Sequence, residues 1–101
     1  FYTRIWETTS DSISSQAVGM DMAEEYVAAH NIEVEWDDAT CQNYGEYTDG
    51  DTLYQVWLED EESMRVKLNI MQKYGIGGVA SWRLGFEKAS IWDEIESYLN
   101  Q

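Results

Sequence analysis

Residues 75–87 read GIGGVASWRLGFE. Gly75 to Gly78 lead into a short apolar run that ends in the pair Trp82-Arg83, with Gly85 close behind. A short continuous apolar run bounded by glycines is expected as a strand over 78–82 buried on both faces. An indole and a guanidinium at the end of such a strand suit a sugar-binding cleft at the mouth of a barrel. The flat ring packs on a sugar face, and the guanidinium supplies directional donors.

The flanks of this stretch are helical. Asp60 stands as the N-cap of a helix over about 61–74, with Glu61 and Glu62 in the first turn, where the helix dipole favours acids. Gly75 is its stop. Met64, Leu68 and Met71 form one apolar stripe and Val66, Ile70 and Tyr74 a second. Two stripes predict a broadly buried helix, held between a sheet and its neighbours. A last helix over about 89–99 presents Ile91, Trp92, Ile95, Tyr98 and Leu99.

Further out, FYTRIW at 1–6 is rich in aromatic and β-branched residues and is expected as a strand. ETTSDSIS at 7–14 is a polar loop, and Ser14 or Ser15 is placed as the cap of a helix over about 15–29. Its apolar face would use Val18, Met22, Tyr26 and Ala29, and His30-Asn31 closes it. Gly19 weakens that helix and points to close packing or a local bend. Residues 32–36 read as a short strand and Asp37-Asp38-Ala39-Thr40 as a turn. Strands over 42–48 and 52–58 are joined by Asp49-Gly50, a hairpin signal. The order is strand, α+β excursion over 7–59, helix, strand, helix. Without the excursion it is βαβα, the repeating unit of a parallel α/β fold. The chain opens in mid-strand and without Met, as a segment of a longer protein does.

Composition narrows the function. The 101 residues suit one small domain or a piece of a larger one, and 44% hydrophobic residues allow a packed core. Aromatics make up 14%, with Trp 5 and Tyr 7, which leans towards a ligand surface although core packing is the commoner use of any one ring. A net charge of -14 repels phosphate backbones and anionic lipid, so neither nucleic acid nor a membrane surface is an expected partner. No 18-residue apolar run is present, so no membrane span is expected. Cys41 is alone, which excludes an intrachain disulfide or a cysteine metal site.

FYTRIW and then WLEDEESMRVKLNIMQKYGIGGVASWRLGFE resemble the last two βα units of family 18 glycoside hydrolases, on the chitinase-like branch of bacterial spore-cortex and cell-wall enzymes. The likeness is specific at 1–6 and 56–87 and loose across 7–52. It implies an α/β fold: residues 1–6 as the seventh strand of a (β/α)8 barrel, 7–59 as a small α+β insertion, and 60–101 as helix, eighth strand and helix. It implies hydrolysis of β-1,4 bonds beside N-acetylglucosamine in peptidoglycan or chitin, with the substrate's own N-acetyl group as nucleophile. The family's catalytic signature, D-x-x-D-x-D-x-E, is absent, and Asp37-Asp38 and the acids at 59–62 do not match its spacing. The segment alone is therefore expected to be inactive and to supply cleft wall to a parent enzyme. No metal or organic cofactor is implied. The expected partners are an N-acetylglucosamine polysaccharide and either the rest of the barrel or a second copy met through open strand edges. The expected location is the bacterial cell envelope, the spore or the exterior. The rival reading is a free-standing carbohydrate- or protein-binding module.

The resemblance makes Trp82 the stacking floor of the subsite beside the scissile bond; spacing alone reads it as core. Tyr2 and Arg4 match the seventh-strand segment and share a strand face, with Phe1 and Thr3 on the other. They either hydrogen-bond a sugar or form a barrel-interior layer with a buried ion pair. Trp6 is expected on the face opposite Tyr2 and Arg4 by strict alternation, although strands loosen at their ends. Arg83 is either a sugar donor or a salt-bridge partner on the rim. Trp36, Tyr54 and Trp57 are expected in the core of the excursion, with a cleft wall as the alternative. Asp37-Asp38 is expected to form a turn, and His30 to serve at a helix end.

Overall fold

A computed structural model describes residues 1–100. The elements in order are β1 (Thr3–Thr8), β2 (Ile13–Val18), α1 (Met20–Ala29), β3 (Glu35–Asp37), β4 (Gln42–Asp49), β5 (Thr52–Leu58), α2 (Glu61–Lys73) and α3 (Ala89–Leu99). The strands form one five-stranded sheet in the order β2-β1-β5-β4-β3. Every neighbouring pair is antiparallel.

The turns form as their residues dictate. Gly50, at φ 60°, carries the β4–β5 hairpin, whose register runs from Asp49 opposite Thr52 to Asn43 opposite Leu58. Asp60 and Ser63 cap α2 reciprocally: Ser63 N–H donates to Asp60 Oδ1 at 3.0 Å, and Asp60 N–H to Ser63 Oγ at 2.9 Å. Gly75, at φ 64°, ends α2 with Ile76 N–H bonded to the Met71 carbonyl at 3.0 Å. Asn31, at φ 52°, does the same for α1, with Ile32 N–H bonded to the Val27 carbonyl at 3.0 Å. His30 is the C-cap of α1, as expected.

Five expectations are corrected. The helix over 15–29 is split: 13–18 is β2, and α1 begins only at Met20, after Gly19 as N-cap. The edge of β1 decides this, because residues 13–18 satisfy it in full register, Thr8 opposite Ile13 to Thr3 opposite Val18. The buried face of α1 accordingly uses Met20 and Ala23, while Met22 is exposed. Gly19 is indeed closely packed, since a Cβ there would lie 3.2 Å from the Phe86 carbonyl oxygen.

The strand over 78–82 does not form; this segment is irregular and largely exposed. A strand needs a free neighbouring edge, and both edges of β1 are taken by β2 and β5. The expected parallel βαβα pattern is therefore replaced by a mixed α/β domain with an antiparallel sheet. Helix α2 buries one stripe, Met64, Leu68 and Met71, whereas Ile70 and Tyr74 of the second stripe are exposed. The strand over 32–36 shortens to Glu35–Asp37, with Ile32 buried as a packing residue.

Two apolar clusters hold the molecule. Ile5, Val18, Val56 and Leu58 from one sheet face meet Ala23, Tyr26 and Val27 of α1. Met20, Met64, Leu68, Met71, Ile91 and Ile95 pack α2 and α3 together, with Phe1 and Tyr98 at the margin. Neither cluster draws on the opposite sheet face, which carries Arg4, Trp6, Tyr44, Gln55 and Trp57. One face thus supplies core and the other is covered by neither cluster.

Gly45 sits where the 32–34 segment crosses β4. A Cβ there would lie 2.5 Å from Ile32 Cγ2 and 2.9 Å from Val34 Cγ1. Gly45→Ala is expected to lower unfolding free energy by about 1–3 kcal/mol through overpacking, read as a reduced urea midpoint at unchanged m-value.

Candidate functional site

The uncovered sheet face opens into a cleft of about 560 Å³ lined by Phe1, Tyr2, Arg4, Trp6, Thr40, Gln42, Trp57, Glu59 and Trp82. Three residues singled out in the sequence, Tyr2, Arg4 and Trp82, line it together. The fourth, Arg83, does not. Its guanidinium lies over the Phe86 ring, 4.5 Å from the centroid, and it joins no salt bridge among the described residues.

Strand pairing explains the convergence. Arg4 stands opposite Trp57, and Trp57 opposite Tyr44, so the three share one row. Trp6 stands opposite Gln55, which stands opposite Glu46, in the next row. Trp6 is therefore on the same face as Tyr2 and Arg4, contrary to expectation. β1 runs regularly to Thr8, so its end does not loosen at residue 6, and period two carries 2, 4 and 6 to one side. Trp57 likewise belongs to the cleft and not to the core of the excursion. Tyr44 packs on it with ring centroids 4.7 Å apart.

Polar groups fix the walls. Arg4 Nη1 donates to Ser15 Oγ at 2.8 Å, and its guanidinium lies 6.0 Å from the Tyr2 ring centroid; the alternative of a buried ion pair for Arg4 does not arise, because the residue is exposed. Gln55 Nε2 donates to the Tyr44 hydroxyl at 2.8 Å, and that hydroxyl donates to Glu46 Oε2 at 2.5 Å. Burial and the Glu46 acceptor raise the Tyr44 pKa, which keeps the phenol a neutral donor.

Glu59, at the cleft floor, is buried with both oxygens engaged. Ser63 Oγ donates to one at 2.5 Å, and Lys67 Nζ is paired with the other. A carboxylate held on both oxygens is a structural acceptor and has no site free to protonate a leaving group. The cleft can therefore bind but carries no free acid. Asp37 and Asp38 stand apart from it: Asp37 accepts from Thr40 Oγ1 at 2.7 Å and Ala39 N–H at 3.3 Å, which shapes the expected turn. Among the described residues no three His, Cys, Asp or Glu side chains are grouped to hold a metal ion.

Trp82 reaches the cleft from a segment tethered at several points. The Phe1 amino nitrogen donates to Ser81 Oγ at 2.9 Å and to the Trp82 carbonyl. Met20 N–H donates to the Phe86 carbonyl at 2.7 Å. Trp92 Nε1 and the Gly85 N–H both reach Glu87 Oε1 at 3.3 Å. At the far end Lys88 pairs with Glu24 and Glu61, and Ser90 Oγ donates to Glu61 Oε1 at 2.7 Å. Trp82 itself remains 75% exposed.

Trp6 was within reach of the sequence by counting two from Arg4. The Tyr44–Trp57 pair was within reach by counting back from the Asp49-Gly50 turn. Thr40, Gln42 and Glu59 had no local signal, since the β1–β5 register that brings them to Arg4 is not encoded by any single turn.

The chain has relatives of described activity. No protein-family model matches it. It is 28% identical over 64 residues to the "Cortical fragment-lytic enzyme" of Bacillus anthracis, an alignment covering 62% of this chain and 15% of the relative. It is 30% identical over 77 residues to the "Probable di-N-acetylchitobiase 2" of Dictyostelium discoideum, covering 67% of this chain and 20% of that protein. Among solved structures, the spore cortex-lytic enzyme SleL of Bacillus cereus superposes with a TM-score of 0.84 at 24% identity, over 96% of this chain and 23% of that one. The chain thus spans about a fifth of the length of the proteins it resembles. Sequence relatives and fold neighbours both fall in the group that FYTRIW and residues 56–87 resemble, the family 18 glycoside hydrolases on their spore-cortex and chitinase branch.

The ties at Lys88 make a pH prediction. Burial opposes the charge on Glu61, but hydrogen bonds from Ser90, its own backbone N–H and Lys88 outweigh it and lower its pKa. A depressed folded-state pKa stabilises above the unfolded value, about 4.3, and that stability is lost as pH falls through the folded value. Wild type is expected to exceed Glu61→Gln by about 1 kcal/mol at neutral pH, with the difference shrinking as pH falls below about 4.3 in urea titrations.

Proposed function

We propose that this chain is the cleft wall of a glycoside hydrolase that cleaves β-1,4 bonds beside N-acetylglucosamine in peptidoglycan or chitin. The carrying observation is that Tyr2, Arg4 and Trp82, from opposite ends of the sequence, meet Trp6 and Trp57 around one open cleft. Indole faces suit the apolar faces of pyranose rings, and Arg4, Gln42 and Thr40 suit their hydroxyl and carbonyl groups. The chain supplies no acid, so the proton donor and the groups that orient the N-acetyl nucleophile belong to other segments of a (β/α)8 barrel. The bacterial spore or cell envelope is the matching location.

The barrel placement draws support from the surface. Ile76, Val79 and Leu84 are exposed in the 75–87 segment, and Trp92 and Leu99 are exposed on α3. Val79, Trp92 and Leu99 line one trough with Ile95. An apolar strip of this kind asks for a cover, and further βα units would provide one. A second reading, a self-sufficient carbohydrate-binding module, draws on a cleft that holds Trp6, Trp57 and Trp82 together while its one lining carboxylate, Glu59, is tied up by Ser63 and Lys67.

Two measurements separate these readings. In a tryptophan-fluorescence titration with chitotetraose, Trp82→Ala and Trp6→Ala are each expected to weaken binding by about tenfold, as the loss of one stacking platform does. Unchanged affinity in both variants overturns the cleft assignment. In sedimentation, the 101-residue chain is expected to self-associate through its apolar strip. A stable monomer that binds the oligosaccharide would favour the module over the barrel piece.

A further inference from the structure

On the other face of the sheet, alongside α1, lies a second groove of about 570 Å³, walled in part by Met22, Tyr26 and His30 and within the usual range of small-molecule sites. One cross-strand row forms its base. Tyr47 on β4 stands opposite Tyr54 on β5, Tyr54 opposite Glu7 on β1, and Glu7 opposite Ser14 on β2. Tyr47 and Tyr54 stack with centroids 4.6 Å apart and planes 6° from parallel. His30 covers the other side of Tyr47 at 4.8 Å and 22°. The Tyr26 and Tyr47 hydroxyls bond to each other at 2.9 Å, which locks the ladder.

The ladder therefore ends on Tyr54. One ring face is covered by Tyr47, and the other is turned along the row towards Glu7. The Glu7 carboxylate has no hydrogen-bond or ion-pair partner among the described residues, and no Lys or Arg lines the groove. Ser14 and Gln16, beside it, have free side-chain polar groups as well. A flat aromatic face, an uncompensated carboxylate and free hydroxyl and amide groups thus converge in one recess of a chain with a net charge of -14.

We propose that this groove binds an amino sugar whose amine is free and protonated. The pyranose ring lies on Tyr54, the ammonium group meets Glu7, and the sugar hydroxyls meet Ser14 and Gln16. A ring bearing a cation satisfies both the carboxylate and the negative face of the terminal tyrosine ring. An N-acetylated sugar brings no charge and leaves Glu7 without its partner. The groove is on the sheet face opposite the cleft, so occupancy of one does not depend on the other.

Saturation-transfer NMR with glucosamine and with N-acetylglucosamine tests this on the 101-residue chain. Glucosamine is expected to show transfer at millimolar concentration, and Glu7→Gln to weaken it by about tenfold, as loss of a charge-assisted bond does. Tyr54→Leu is expected to weaken it as well, and in a Trp82→Ala background Glu7→Gln is expected to weaken it by the same factor. N-acetylglucosamine is expected to show no transfer that Glu7→Gln alters. The proposal is overturned if glucosamine shows no transfer, if its transfer survives Glu7→Gln intact, or if Trp82→Ala abolishes it, which would assign the sugar to the cleft.

Discussion

The buried junction of Thr3, Glu59 and Ser63 is the constraint on which the rest of the arrangement hangs. Glu59 N–H donates to Thr3 Oγ1 at 3.0 Å in a fully buried bond between the start of β1 and the end of β5. The Glu59 carboxylate is held by Ser63 in the first turn of α2 and by Lys67 one turn on. The sheet and α2 are thereby joined at one point. A buried carboxylate is tolerated only when its oxygens are satisfied, so the junction has little freedom to slip. Because Thr3 is fixed, its neighbours Tyr2 and Arg4 are aimed to the opposite side, into the cleft. Because Glu59 is fixed, Trp57 two residues earlier is aimed there too.

The sheet divides its two faces between different tasks. One face, with Ile5, Val18, Val56 and Leu58, is buried by α1 and provides much of the core. The other holds Arg4, Trp6, Tyr44, Gln55 and Trp57, large side chains that pair across strands but are not sealed by a helix. An aromatic surface left open costs hydrophobic stabilisation that core burial would have supplied, about 25 cal/mol per Å² of apolar area. Retaining it fits a ligand face better than a packing face. The α2–α3 pair repeats the theme on a smaller scale, with one buried stripe and an exposed apolar strip running into 75–87.

Much of this was legible one element at a time. The cap at Asp60, the stops at Asn31 and Gly75, the Asp49-Gly50 hairpin and the α3 stripe are short-range devices, and each formed where its residues placed it. The failures were long-range. ISSQAV carries serines that suit a helix cap, yet it became a strand because β1 offered an unpaired edge. GGVASW has every local mark of a buried strand, yet both edges of β1, the strand it was expected to join, are filled by β2 and β5. Val66, Ile70 and Tyr74 have helical spacing, but spacing does not say whether anything lies opposite.

The same split governs the site. The sequence by itself determined which side chains could serve a sugar cleft, because Trp, Tyr and Arg carry that chemistry wherever they stand, and it determined that Tyr2 and Arg4 share a face, because the strand period is two. Only the tertiary structure decided that Trp57 joins the face that the same period also gives to Trp6, that Arg83 turns away to Phe86, and that Tyr54 ends a ring ladder on the far face. Those outcomes rest on the register between β1 and β5, strands some 45 residues apart in the chain. No turn connects them directly, so their alignment is set by burial of Ile5 against Val56 and by the Thr3–Glu59 bond, which exist only once the chain has folded.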